Sequence, residues 1–145
     1  MAEENEDDVT IEDPDGLLRR VPNWPDMFKL DKNMNAYRPT SACFTDKDGG
    51  RKLSVTLERP LLDGGGTYED AIAIEPKFGL ARIEAGFVRH NVVPAQKIQR
   101  APTGADQHHA LIIGEKDKRA RRAMAKAAKL IITPETNGTC LSISN

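Results

Sequence analysis

Residues 108–133 read as a strand, a glycine turn and a basic amphipathic helix, and any fold for this chain must accommodate that unit. From Ala110 to Ile113 the chain is uncharged and rich in isoleucine, the composition of a strand covered on both faces. Gly114 interrupts it. Asp117 stands where a helix needs an N-cap, and Glu115 adds negative charge at the positive end of that helix. Ala120, Ala123, Met124, Ala127 and Ile131 recur at helical spacing, so a helix is predicted from Asp117 to Ile131 with those residues facing a core. Pro134 ends it. Lys118, Arg121, Arg122, Lys126 and Lys129 fall mostly on the other side. Such a stripe is either a solvated outer face, because long basic side chains favour helix, or a docking stripe for nucleic-acid phosphates or an acidic partner. No aromatic residue interleaves it, which serves base stacking poorly.

Charge is divided along the chain. The formal net charge is −1, from 21 basic and 22 acidic residues. Residues 1–16 hold eight of the acids and no base, and the remainder carries 14 acids against 21 bases, a formal +7. The leader is expected to be disordered, and it can either fold back over the basic surface or simply solubilise the chain. The 145 residues suffice for one domain with a modest core, expected over 17–133, and 134–145 read as a tail or an edge strand. No apolar run is long enough to span a bilayer, so no membrane role is expected. The N-terminus lacks the apolar core of a secretory signal, and two cysteines, Cys43 and Cys140, do not make a disulfide framework. A reducing cytoplasm is the expected setting, with both thiols read as small buried apolar residues.

The remaining elements are shorter. Leu17-Leu18-Arg19-Arg20-Val21 reads as a strand in which the two arginines face opposite ways, one of them inward. Pro22 to Pro39 lacks a clear period and reads as a long loop, with Trp24 as a lid on the core edge or a stacking platform. Ser41 to Thr45 and Lys52 to Glu58, joined by Asp46-Lys47-Asp48-Gly49-Gly50, suggest a hairpin. Thr67 and Asp70 match a capping box, and the preceding glycines lack the lysine of a phosphate loop. Phe78 to Arg89 alternates like a strand up to Ala85 that loosens at Gly86, with a helix as the alternative.

Chemistry-bearing residues are sparse. Asp106, His108 and His109 are the densest group, but no cysteine pair accompanies them, so no metal or cofactor is expected. His109 is read either as a general acid–base or as a histidine satisfied by a backbone group, and the second reading is preferred. No nucleophile elbow is present. Arg20, Ser41 and His109 are the weak catalytic candidates, because strands could bring them together.

The segments Leu18-Arg19-Arg20-Val21-Pro22, Arg38-Pro39-Thr40-Ser41-Ala42-Cys43-Phe44, Leu53-Ser54-Val55, Phe78-Gly79-Leu80-Ala81 and His109-Ala110-Leu111-Ile112-Ile113-Gly114 together resemble a family of small, uncharacterised bacterial proteins. The resemblance implies a compact domain that is accessory to a larger bacterial conflict or defence system, and it transfers no functional residue. The expected fold is α+β: a mixed, mainly antiparallel sheet of four or five strands with one basic helix packed on it. The expected function is that of a small accessory or adaptor protein working through a protein partner. Two alternatives stand beside it: a nucleic-acid-binding module using residues 117–131, and a small nucleotide- or NAD-using enzyme with Arg20 and His109 in a cleft.

Overall fold

The computed structural model describes residues 6–45 and 51–135. Among these residues eight strands form two sheets: β1 (Gly16–Val21), β2 (Phe28–Asp31), β3 (Ala36–Pro39), β4 (Lys52–Leu57), β5 (Gly79–Glu84), β6 (Lys97–Arg100), β7 (His109–Ile113) and β8 (Lys129–Ile132). The larger sheet has the order β6-β7-β4-β1-β5-β8, and β2 with β3 makes a separate two-stranded ribbon. Every strand pair is antiparallel. Three α-helices accompany them: α1 (Glu58–Asp63), α2 (Ala85–His90) and α3 (Lys118–Ala127). The α+β class agrees with expectation, but the main sheet has six strands and α3 is one of three helices.

Alternation decides which face is buried. Leu17, Val21, Leu53, Val55, Leu57, Ala81, Ile83, Ala110 and Ile112 point to one side and form the main core. That side is covered by α3 through Ala120, Met124 and Ala125, by Cys43 and Phe44, by Phe28 of the ribbon and by Ile11. On the other side Leu18 and Leu80 form a smaller cluster with Leu61 of α1 and Ile72. Beyond that cluster the second face is only partly covered. His109, Leu111 and Ile113 are half-buried there, so β7 is not covered on both faces as its composition predicts. Nor is β7 central; β4 and β1 hold the middle of the sheet.

Several boundaries differ from the sequence-based expectations. The hairpin of Ser41–Thr45 with Lys52–Glu58 does not form. Ser41–Phe44 is a 3-10 turn that plugs Cys43 and Phe44 into the core, and β4 pairs instead with β1 and β7. Its expected turn residues, 46–50, lie outside the described residues. The long loop 22–39 contains the β2–β3 ribbon, whose turn is shaped by Asp31: its Oδ1 accepts from Asn33 N at 3.0 Å. Asn35 completes that turn at φ 51°, a left-handed conformation that asparagine tolerates. The basic helix ends at Ala127 rather than Ile131. Ala128 is extended, and the apolar run Leu130-Ile131-Ile132, with two β-branched residues, pairs with the open edge of β5. The expected edge strand at Cys140–Ile143 lies outside the described residues.

The acidic leader is packed on the body from residue 6 onward, which corrects the expectation of disorder for 6–15. Asp8 N donates to Ile98 O at 2.7 Å, and Asp7 Oδ1 accepts from Ile98 N at 2.9 Å, so the leader satisfies the outer edge of β6. Ile11 is buried in the core. Asp13 O and Asp15 O accept from Gly86 N and Ala85 N at the start of α2. Gly86 allows this approach, since a Cβ there would meet Asp13 Cβ at 2.8 Å.

Candidate functional site: a cationic cleft beside helix α3

Among the described residues the leader does turn back onto basic groups, but its ion pairs are not with α3. Arg89 Nε lies 3.0 Å from Asp7 Oδ2, and its Nη1 donates to Asp13 Oδ1 at 3.0 Å. Arg100 Nε meets Asp8 Oδ2 at 3.1 Å, and Arg59 meets Asp15 Oδ2 at 2.9 Å. The leader therefore neutralises α1, α2 and β6. Among the described residues, Lys118, Arg122, Lys126 and Lys129 have no carboxylate within ion-pair distance. They are exposed.

What α3 faces instead is the β2–β3 ribbon. Asp117 caps the helix by accepting Ala120 N at 2.8 Å, and Ala120, Met124 and Ala125 hold it against the core. Lys118, Arg122 and Lys126 are spaced by one helical turn and share one exposed edge. Between that edge and the ribbon runs a cleft with two lobes. One, of about 350 Å³, is bordered by Lys29, Arg38, Thr40, Ser41, Arg122 and Lys126. The other, of about 540 Å³, is bordered by Met34, Tyr37, Ala127, Ala128 and Leu130, with Lys126 and Lys129 at its rim. Arg38 and Lys126 belong to both lobes.

The cleft's only carboxylate among the described residues is Asp31. It lies 3.2 Å from Arg38 Nε without the alignment of a hydrogen bond, so Arg38 Nε is buried and lacks a hydrogen-bond acceptor. Lys29, Arg38, Arg122, Lys126 and Lys129 against Asp31 leave four uncompensated positive charges around one groove. Arg122, Lys126 and Lys129 from the sequence-predicted stripe line it. Lys118 stands exposed beyond it, and Arg121 is turned away, its Nη1 donating to Lys116 O at 2.9 Å. Lys29, Met34, Tyr37 and Arg38 were not legible as site residues, because they belong to a segment without apparent period. The alternation of Phe28, Leu30 against Lys29, Asp31, followed by Asn-rich turn residues, was the available signal.

The three catalytic candidates do not converge. Ser41 borders the cationic lobe, on the far side of the sheet from the other two. Arg20 and His109 share a separate cavity of about 280 Å³ on the partly covered face. Register explains it: Leu18 is opposite Thr56 and Thr56 opposite His109, and Arg20 lies two residues beyond Leu18 on the same face. His109 Nδ1 is 2.7 Å from Ala101 O, so that nitrogen carries the proton and the ring is fixed by a backbone group. Of the paired arginines the inward one is Arg19, whose Nε and Nη1 donate to Cys43 O and Ser54 O, both at 2.9 Å. The Cys43 thiol is buried, and burial pushes its pKa up to about 11, which makes it a packing residue rather than a nucleophile. Trp24 is 54% exposed and meets Phe78 edge-on at 6.4 Å.

No group of His, Cys, Asp or Glu among the described residues is arranged to hold a metal ion. No helix among them is long and apolar enough to cross a membrane. Comparison with known proteins gives no likeness to argue from: no family model, no curated protein and no solved structure matches the chain.

Proposed function

We propose that this chain is a small accessory protein that binds an acidic protein segment in the cleft between α3 and the β2–β3 ribbon. The observation that carries this reading is the pairing of an apolar lobe with a cationic one in a single groove. A nucleic-acid backbone needs only the cations. A peptide that alternates acidic and apolar side chains uses both lobes: its carboxylates meet Arg38, Arg122 and Lys126, and an apolar side chain fills the space beside Tyr37, Met34 and Leu130. Long-range attraction by four uncompensated charges would speed the encounter, and the apolar contact would hold the complex. The leader's position supports the same reading, because Asp7, Asp8, Asp13 and Asp15 are paired with arginines away from the groove.

Fluorescence anisotropy tests it with three labelled probes: a twelve-residue peptide alternating glutamate and leucine, an all-glutamate peptide of equal length, and a single-stranded twelve-nucleotide DNA. The mixed peptide is expected to bind best. The R122E/K126E pair should weaken it by about tenfold or more, and Tyr37→Ala should weaken it while leaving the all-glutamate probe unchanged. Arg122 and Lys126 are exposed, so circular dichroism should show an unaltered fold for that pair, and Tyr37→Ala, which loses an edge-on contact with Phe28, is compared well below its own thermal midpoint. Tighter binding of the DNA than of either peptide would replace this reading by the nucleic-acid one. Equal binding of both peptides would remove the apolar lobe from the argument.

A further inference from the structure

The cavity on the opposite face of the sheet belongs to neither lobe of the cleft, and its lining has an unusual charge arrangement. Arg20, Asp70 and Asp106 all border it. Yet among the described residues Arg20 has neither carboxylate within ion-pair distance. A cation and two acids thus share one space without cancelling each other. The acids are anchored from behind. Asp106 Oδ2 accepts the Thr56 hydroxyl at 2.5 Å and its Oδ1 accepts His108 N at 2.9 Å. Asp70 Oδ2 accepts Thr67 N at 2.8 Å in the capping box. Each carboxylate oxygen retains a lone pair for a further donor. In the neutral ring His109 Nε2 is an acceptor, because Nδ1 carries the proton that meets Ala101 O. Leu61 and Ile74 supply apolar wall.

We infer that this cavity is a binding site for a small zwitterion of the α-amino acid class. The ligand's carboxylate meets Arg20, its ammonium is held between Asp70 and Asp106 with His109 Nε2 as a further acceptor, and a short aliphatic side chain lies against Leu61 and Ile74. A simple anion would meet two like charges for one opposite charge, and a simple amine would compete with Arg20 for the acids. A molecule that carries both signs satisfies all three residues. The volume of about 280 Å³ is at the lower end of small-molecule sites, in keeping with a metabolite rather than a dinucleotide.

Isothermal titration calorimetry of the whole chain with leucine, N-acetyl-leucine and leucinamide tests the inference, because the two derivatives each remove one charge. Leucine is expected to bind, and each derivative to bind about tenfold more weakly or worse. Arg20→Gln, at an exposed strand position, should erase the advantage of leucine over leucinamide and keep its advantage over N-acetyl-leucine. Asp106→Asn should do the reverse; if it disturbs the 103–109 turn, the Arg20→Gln result with the two derivatives still decides. No heat with any of the three at millimolar concentration overturns the inference, and so does a derivative that binds as well as leucine. Because the cleft beside α3 lies on the other side of the sheet, R122E/K126E should leave leucine binding unchanged whatever becomes of the peptide.

Discussion

Neighbouring residues of one chemical type take different parts here because a strand sends them to opposite faces. Arg19 turns toward the core side and spends its donors on the carbonyls of Cys43, Ser54 and Thr45. Arg20 turns to the partly covered face, where it borders a cavity. The sequence predicts that division, but which arginine goes inward depends on the alternation of Leu17, Val21 and their partners on β4 and β5. Ile11 is the other decisive single residue. Among the described leader residues it alone enters the core, and Asp7, Asp8, Asp13 and Asp15 around it are held by arginines. Ile11→Ala should therefore cost about 2–4 kcal/mol if the leader stays docked. If the leader instead detaches, the loss is capped at the free energy of its docking. Urea denaturation of Ile11→Ala beside a chain lacking residues 1–15 separates the two: equal midpoints mean detachment. An Ile11→Ala midpoint within error of the intact chain would sink the claim that this residue anchors the leader.

At the level of elements, local signals marked where α3 starts better than where it stops. Asp117, an N-cap by sequence and by geometry, accepts Ala120 N, and its removal should cost about 1 kcal/mol. Asp117→Ala is expected to lower the thermal midpoint by a few degrees, while Asp117→Ser should retain most of the stability; equal losses in the two variants would show that the cap is not the cause. The C-terminus is set by a competitor outside the helix. Leu130, Ile131 and Ile132 continue the apolar pattern well enough to extend a helix, but the edge of β5 offers backbone partners, and β-branched residues favour them. The same kind of competition removed the predicted hairpin. Residues 41–44 have strand composition, yet β4 finds β1 and β7 on its two sides, and Cys43 and Phe44 gain more by filling the core beneath the sheet.

For the whole molecule, the division between an acidic leader and a basic body is real in the sequence, and the fold distributes it. The leader covers Arg59, Arg89 and Arg100 and the edge of β6, and α3 keeps its charge for the cleft. This arrangement has a pH signature. Partial burial pushes the Asp8 carboxyl upward, but hydrogen bonds from Thr10 and the neighbouring Arg100 bring it below the usual 3.8. A hydrogen bond from Arg89 lowers Asp13 in the same sense, with smaller help from His90. Both pKa values are depressed in the fold, so their contribution is complete above the ordinary carboxylate value and is lost as acid titrates through the lower, folded values. The amides of Ala85, Gly86 and Ile98, which donate to leader acceptors, should lose hydrogen-exchange protection as the pH falls below the ordinary carboxylate value, once intrinsic rates are removed, and earlier than the amide of Leu57 in the middle of the sheet. Protection of those three amides that persists to the same acidity as that of Leu57 would contradict the docked leader.

The chain by itself determined the α+β class, the strand at Leu17–Val21, the cap at Asp117, the capping box at Thr67 and Asp70, and a row of cations on one helix edge. These are local properties, fixed by side-chain period, hydrogen-bonding groups and backbone preference within a few residues. Tertiary structure alone decided that Arg122 and Lys126 face the ribbon carrying Lys29, Tyr37 and Arg38, that Asp7, Asp8, Asp13 and Asp15 of the leader pair with other arginines, and that Arg20 and His109 share a cavity while Ser41 lies elsewhere. Each of those outcomes depends on strand order and register between residues far apart in the chain. No local pattern records them, because the same alternation is compatible with many pairings and only the packing of one common core selects among them.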